Sequence, residues 1–219
     1  MSDYRIIKQL QKSAIEDDYV VFYLYRKISA IFSLFFVKMK ISANFVTFLS
    51  LLSDFLVIAL MFNKFWILAG ILVNLAIILD CSDGEVARFY NNKSRIKKKT
   101  RYGGFLDETL GTLGFSLLIF FAGYFIGQFW IGFSAMFGLL MIIVTSSVAQ
   151  NEFPEKRKIA VNFERSIFGK LKGRIGFSNG IQRIFISLTI IFSSPLLLLL
   201  FAIAANCFWI LKFWVYRKY

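Results

Sequence analysis

The chain has 219 residues, of which 58% are hydrophobic, and its mean hydropathy is +0.64. A soluble domain of this size is nearer half apolar, so the composition favours an integral membrane protein forming one helical domain over 1–219. The formal net charge is +13 and there is no histidine. Because the basic residues lie between apolar runs, we expect anionic lipid headgroups and phosphate-bearing substrates as partners, and no nucleic acid. Carboxylates are left to carry any acid–base or metal chemistry.

The N-terminal segment 1–40 is predicted to be cytoplasmic and interfacial. Residues 1–18 mix acidic and basic side chains and contain no continuous apolar core, which does not fit a signal peptide. Residues 19–37 are apolar but contain Arg26 and Lys27, and a charge at mid-span costs roughly 2.5–3.5 kcal/mol. We therefore predict an amphipathic helix at the membrane surface, with a full span as the alternative.

Six transmembrane helices are predicted after this segment, each near the ~20 residues that a bilayer requires. Lysine and arginine concentrate in alternate loops, and the positive-inside rule then places both termini, both long loops and the chemistry described below in the cytoplasm. Small residues four apart around the third and fourth spans indicate close helix packing, within the chain or at a homodimer seam. The predicted spans are 44–62, 66–88, 104–123, 128–150, 177–193 and 196–214, with tight turns predicted at Asn63–Lys64, Gly127–Gln128 and Ser193–Ser194–Pro195.

Carboxylates collect at the cytoplasmic ends of the second and third spans. The second ends in LDCSDGEVARF, where Asp80 and Asp83 share a helical face with Ala87. Gly84 offers no side chain, so a flat ligand can approach the backbone. The third span begins GGFLDETLG and brings Asp107 to the same depth. Such a cluster needs cations to balance it, and oxygen-only ligands suit Mg²⁺ or Mn²⁺ and phosphoryl-group chemistry.

The alternative interpretation is a set of salt bridges at a helix end, with Asp80 or Asp83 pairing with Arg88. The full string is more specific than that. It resembles the signature of the CDP-alcohol phosphotransferase family, D-x2-D-G-x2-A-R followed by G-x3-D-x3-D, and ISANFVTF resembles that family's P-N-x-x-T opening. The residues that match are Asn44, Thr47, Asp80, Asp83, Gly84, Ala87, Arg88, Gly103 and Asp107.

This resemblance implies a six-span fold that transfers a substituted phosphoryl group from a CDP-alcohol to an acceptor hydroxyl, releasing CMP, in phospholipid or phospho-polyol synthesis. It assigns divalent metal to Asp80, Asp83 and Asp107, and the nucleotide to the remaining matched residues together with Asp80 and Asp83. Asp107 is also the catalytic candidate. Basic residues expected to contact a phosphate of the acceptor are Lys99, Arg101 and Arg183.

The sequence departs from the family pattern in two places. Fourteen residues separate Arg88 from Gly103, a longer spacer than usual, and Gly111 replaces the fourth aspartate. The family assigns that aspartate to a second metal and to activation of the acceptor hydroxyl. Glu108 is a weak surrogate base, because its position fits a first-turn acid better. The competing hypothesis is a catalytically silent relative that binds a CDP-linked ligand or a partner protein; a transporter is not favoured.

Overall fold

The protein is described here by a computed structural model that covers residues 3–12, 19–93, 101–152 and 177–218. These residues form helices and short connections, and no strand occurs among them. A π-helical turn, Val21–Tyr25, leads directly into the second helix. The α-helices are α1 (Asp3–Gln9), α2 (Arg26–Lys38), α3 (Ala43–Phe62), α4 (Trp66–Lys93), α5 (Arg101–Phe125), α6 (Phe129–Glu152), α7 (Asn179–Ile191) and α8 (Pro195–Lys218).

The helices are those of a multi-pass membrane protein. Within the described ranges, five of them (α3, α4, α5, α6 and α8) are long and apolar enough to cross a bilayer. The remaining predicted span, 177–193, corresponds to α7, which has only 13 helical residues, fewer than the ~20 that a straight crossing requires. The prediction is therefore confirmed for five spans and stays a prediction for the sixth.

Three predicted tight turns are present, and the backbone shows how the chain reverses at each. Lys64, Gly127 and Ser193 have φ values of 62°, 80° and 44°. A residue in this left-handed region ends a helix by turning the chain back, and glycine does so without steric cost. The turns join α3 to α4, α5 to α6 and α7 to α8, so each pair is antiparallel.

Small residues let the spans approach closely. A Cβ added to Gly123 of α5 would lie 2.4 Å from the Cα of Gly132 of α6, and one added to Gly138 would lie 3.0 Å from the Ala205 Cβ of α8. At the first contact neither helix carries a side chain, so the backbones touch, and at the second a glycine packs against the small side chain of Ala205. The small residues thus serve packing within the chain, and a homodimer seam stays a prediction.

The N-terminal segment packs on the C-terminal half of α4. Ile7 of α1 is fully buried in an apolar cluster with residues of α2 and α4. Lys27 of α2 is exposed, but Arg26 is only 5% exposed and pairs with Glu85 of α4. Arg26 therefore enters the protein interior because a carboxylate meets it there. The interfacial placement of α2 stays a prediction.

Candidate functional site

Asp80 and Asp83 of α4 point to one side of the helix, and a hydroxyl of α3 holds Asp83. Asp83 is 3% exposed, and its Oδ2 accepts a hydrogen bond of 2.6 Å from Thr47 Oγ1. Asp80 lies one turn earlier on the same face and is half-buried. Asn44, the other residue of the predicted nucleotide side on α3, is exposed. The start of α3 and the later part of α4 thus form one surface.

Helix α5 presents position 111 to this surface. A Cβ built on Gly111 would lie 3.6 Å from Asp80 Oδ1, an ordinary contact distance. Asp107 precedes Gly111 by one turn on the same helix face. Its side chain lies outside the described residues, as do the side chain of Arg101 and all of Lys99. Gly111, the motif position without a side chain, therefore faces Asp80 directly.

Arg88 is held against the helix that carries it. A Cβ on Gly84 would lie 3.2 Å from Arg88 Nη1, so the guanidinium lies across the open backbone at Gly84. Arg88 Nε donates a 2.7 Å hydrogen bond to the carbonyl of Leu10, just after α1. The N-terminal segment therefore helps to orient the motif arginine, a contact that sequence reasoning missed.

These motif residues lie inside the region that a known family covers. The family model for CDP-alcohol phosphatidyltransferase matches residues 40–215, which is most of the chain. The chain belongs to the CDP-alcohol phosphatidyltransferase family. Members transfer a phosphoryl group from a CDP-alcohol to an acceptor. No curated protein matches the sequence at a significant level.

Members of the CDP-alcohol phosphatidyltransferase family generally use divalent metal ions, and the donors present here fit such an ion. Asp80 and Asp83 supply hard oxygen ligands on one face, and Mg²⁺ needs only one or two carboxylates when substrate phosphates complete its shell. The side chains that the structure describes contain no cluster of three or more acidic or thiol ligands. The third predicted ligand, Asp107, is not among those side chains.

An ion pair that sequence reasoning missed lies deeper in the bundle. Arg183 of α7 donates from Nη1 and Nη2 to Asp54 Oδ1 and Oδ2 of α3, at 2.5 and 3.3 Å. Asp54 is 1% and Arg183 6% exposed. Arg183 thus points into the bundle, and its predicted contact with an acceptor phosphate stays untested. The missed signal was Asp54 itself, an acid within an apolar span, which is costly unless it is paired.

A second buried pair lies on the opposite face of α4. Glu85 is fully buried and accepts hydrogen bonds from Arg26, Ser29, Ser33 and Gln11, at distances between 2.6 and 3.1 Å. Both of its carboxylate oxygens are therefore engaged. This network joins the N-terminal segment to α4 and turns its charge away from Asp80.

A cavity of about 240 Å³ opens beside the motif surface, between α5, α6, α7 and α8. Glu108 lines it, whereas Gly111 faces Asp80, and the two positions are about 60° apart around α5. Lys212 Nζ donates to Ser146 Oγ at 2.8 Å. The buried Gln182 Oε1 has no hydrogen-bond partner in the described part of the chain. The remaining lining residues are Leu139, Ile142, Ile143, Ser147, Phe177, Asn179 and Phe208.

Proposed function

We propose that the chain is a metal-dependent CDP-alcohol phosphotransferase working at the cytoplasmic side of the membrane in phospholipid or phospho-polyol synthesis. An acceptor oxygen bonds to the phosphorus that carries the donor alcohol, the bond from that phosphorus to the CMP phosphate breaks, and the acceptor hydroxyl loses its proton. One observation carries the proposal. In a chain of this family, the motif position Gly111 of α5 faces the motif residue Asp80 of α4.

The donor occupies the surface formed by α3, α4 and the start of α5. Asp80 and Asp83, with Asp107, hold Mg²⁺ or Mn²⁺, which neutralises charge on the pyrophosphate when it is bound. The Thr47 hydrogen bond fixes Asp83 in place. The other donor-binding residues are Asn44, Gly84, Ala87, Arg88 and Gly103.

The acceptor occupies the neighbouring cavity. Aliphatic and aromatic side chains line part of it, and its polar groups can hold hydroxyls and one negative charge: Gln182 Oε1 is available as an acceptor of hydrogen bonds, and Lys212 is a cation. Lys99 and Arg101 extend this basic surface in the proposal. We expect an acceptor that carries both hydroxyl and anionic groups, with a lipid or polyol framework.

In this proposal the rate of phosphoryl transfer is limited because Gly111 replaces the carboxylate that would act as general base. General-base assistance is worth about 10²–10⁴-fold, and a glycine supplies none. Glu108 is the carboxylate that lines the acceptor cavity, so it is the group that can take the acceptor proton. Catalysis otherwise depends on positioning and on charge neutralisation. The same glycine favours the second candidate function, a member that binds a CDP-linked ligand without turnover.

The test is CMP release by the purified protein from a panel of CDP-alcohols and acceptors, with Mg²⁺ or Mn²⁺. We expect slow, metal-dependent release that Asp80→Asn and Asp83→Asn abolish, as Asp107→Asn should. Asp3→Asn, a carboxylate change on α1, is the control and should leave release unchanged. Metal-dependent CDP binding without CMP release would support the binding member, and absence of CDP binding would refute both functions.

A further inference from the structure

The residues that follow α1 lie against the motif arginine of α4. Carbonyls at the end of a helix have no partner within the helix, and Leu10 comes directly after the last residue of α1. Its carbonyl accepts the 2.7 Å hydrogen bond from Arg88 Nε. On its other side the half-buried Arg88 lies against Gly84, where an added Cβ would be 3.2 Å from Nη1. The guanidinium is thus placed between a carbonyl of the N-terminal segment and the backbone of its own helix.

Gln11 anchors the chain next to this carbonyl. Its Nε2 donates to the carbonyl of Arg26 and to Glu85 Oε1, both at 2.8 Å. Glu85 is fully buried and Arg26 is 5% exposed, so both acceptors belong to the protein interior. The Leu10 side chain also packs against the apolar cluster that contains Ile7. Side chains on both residues therefore fix the position of the Leu10 carbonyl.

The two polar contacts meet α4 one turn apart. Glu85 and Arg88 are three residues apart and are therefore neighbours on the helix surface. Gln11 binds the first through its side chain, and Leu10 binds the second through its backbone. The family model begins at residue 40, so these contacts come from a part of the chain that the family pattern does not describe.

A hydrogen bond at Nε has a particular effect on a guanidinium. Nε belongs to the planar group, so holding it also sets the plane in which Nη1 and Nη2 lie. A free arginine side chain loses rotamer freedom when it binds a ligand, whereas one that is already oriented loses less. The Leu10 contact therefore favours binding of a planar-matched anion such as a phosphate, without touching that anion itself.

We propose that Gln11 is a positioning residue for donor binding: it anchors the Leu10 carbonyl, which holds the Arg88 guanidinium across Gly84 in the orientation that receives the diphosphate of a CDP-alcohol. This inference rests on the proposed function, in which Arg88 binds the donor. Gln11 acts through Leu10 and Arg88 and has no contact with the donor.

The test is Mn²⁺-dependent CDP binding, measured by titration calorimetry on the full chain in lipid nanodiscs. Gln11→Ala should weaken CDP affinity about fivefold, the effect of one lost hydrogen bond. Glu85 keeps its hydrogen bonds from Arg26, Ser29 and Ser33 in this variant, so the fold should persist. The matched control is Ser33→Ala, which removes a 2.6 Å hydrogen bond from the same Glu85 but leaves Gln11 in place. It should keep wild-type CDP affinity.

A double-mutant cycle shows whether Gln11 acts through the arginine. Arg88→Met should itself weaken CDP binding about tenfold or more, because a hydrogen-bonding cation is lost. Adding Gln11→Ala to Arg88→Met should then change the affinity less than about twofold, since no guanidinium remains to be oriented.

Wild-type CDP affinity in Gln11→Ala or in Arg88→Met would overturn the inference and leave the proposed function intact. Equal losses in Gln11→Ala and Ser33→Ala would also overturn it, because a general loosening of the Glu85 network would explain both. A fivefold effect of Gln11→Ala that persists in Arg88→Met would show that Gln11 does not act through Arg88. If Arg88→Met removes binding altogether, the comparison of Gln11→Ala with Ser33→Ala decides. No Mn²⁺-dependent CDP binding by the wild type would refute the proposed function itself.

Discussion

Two of the buried ion pairs in the described residues have the same chemistry and different surroundings. Glu85 and Asp54 are 0% and 1% exposed, and each meets an arginine. Glu85 also accepts from two serines and a glutamine, whereas the hydrogen bonds described for Asp54 come from Arg183. The comparison shows that burial and pairing alone do not indicate a role; the neighbours decide it.

The two ion pairs are surrounded by different parts of the molecule. The Glu85 network joins α1, α2 and α4 through side chains whose polar atoms meet one another, and a saturated network stabilises one packing arrangement. The Asp54 pair instead packs against Gly114 of α5, where an added Cβ would lie 2.8 Å from Asp54 Oδ2. The first pair is thus enclosed by its own hydrogen-bond network, whereas the second lies about one turn beyond Gly111 on α5.

The largest expected effect is the loss of folding stability when Glu85 is replaced. Glu85→Ala leaves Arg26 buried without its carboxylate, and breaking a buried pair costs about 3–5 kcal/mol. Thermal or denaturant unfolding in a fixed detergent measures the change in the free energy of unfolding. Lys38→Ala, an exposed cation on α2, should stay within about 0.5 kcal/mol of wild type. Equal stabilities of Glu85→Ala and Lys38→Ala would show that the network does not stabilise the fold.

The next-largest effect is expected when a carboxylate is introduced at position 111. Gly111→Asp places an oxygen next to Asp80, since the Cβ position is 3.6 Å from Oδ1. If loss of the general base limits turnover, CMP release should rise about 10²-fold, a barrier lower by about 2.7 kcal/mol. A wild-type protein that already turns over at a normal rate, and is slowed by Gly111→Asp, would instead show that the glycine makes room for a different acceptor.

The sequence predicted much of the fold because its signals are local. Runs of apolar residues and turn residues located five long helices and the turns at Lys64, Gly127 and Ser193. The motif spacing placed Asp80 and Asp83 on one face, because that depends only on helical period. The predicted roles in metal and nucleotide binding remain predictions.

The contacts between distant segments could not be read from the sequence. Asp54 and Arg183 are 129 positions apart, and Leu10 and Arg88 are 78 apart. Such contacts depend on how the helices pack, which no local pattern specifies. An isolated acid in the span FLSLLSDFLVIAL still indicates that a partner must exist, and Arg183 in an apolar helix is the matching cation.

A third prediction compares substitutions at Gly111 and Gly114 of α5. Gly114→Ala puts a Cβ 2.8 Å from Asp54 Oδ2 and 2.9 Å from Leu51 Cδ1, and overpacking of this kind costs about 1–3 kcal/mol. The matched control is Gly111→Ala, whose Cβ would meet Asp80 Oδ1 at an ordinary 3.6 Å and no other described atom within 4 Å, and which should not lose stability. Parallel unfolding experiments on the two variants measure the difference in their free energies of unfolding. Equal stabilities would mean that α5 and the ion pair have room to adjust.

The smallest effect compares one hydroxyl from each region. Thr47 donates to Asp83, and Ser33 donates to Glu85, both at 2.6 Å. Removing either hydroxyl leaves a carboxylate with one hydrogen bond fewer, a net loss of about 1 kcal/mol. The two losses should appear in different measurements, because only Asp83 is proposed to face the donor.

Thr47→Val should weaken Mn²⁺-dependent CDP binding about fivefold, since Asp83 stays but loses the contact that fixes its orientation. Ser33→Ala should lower the free energy of unfolding by a similar amount and leave CDP affinity unchanged, because Glu85 lies on the other face of α4 and keeps its hydrogen bonds from Arg26, Ser29 and Gln11. Titration calorimetry and unfolding on both variants complete the comparison. A loss of CDP affinity in Ser33→Ala equal to that in Thr47→Val would mean that α4 moves as a unit and that the two faces do not have separate roles.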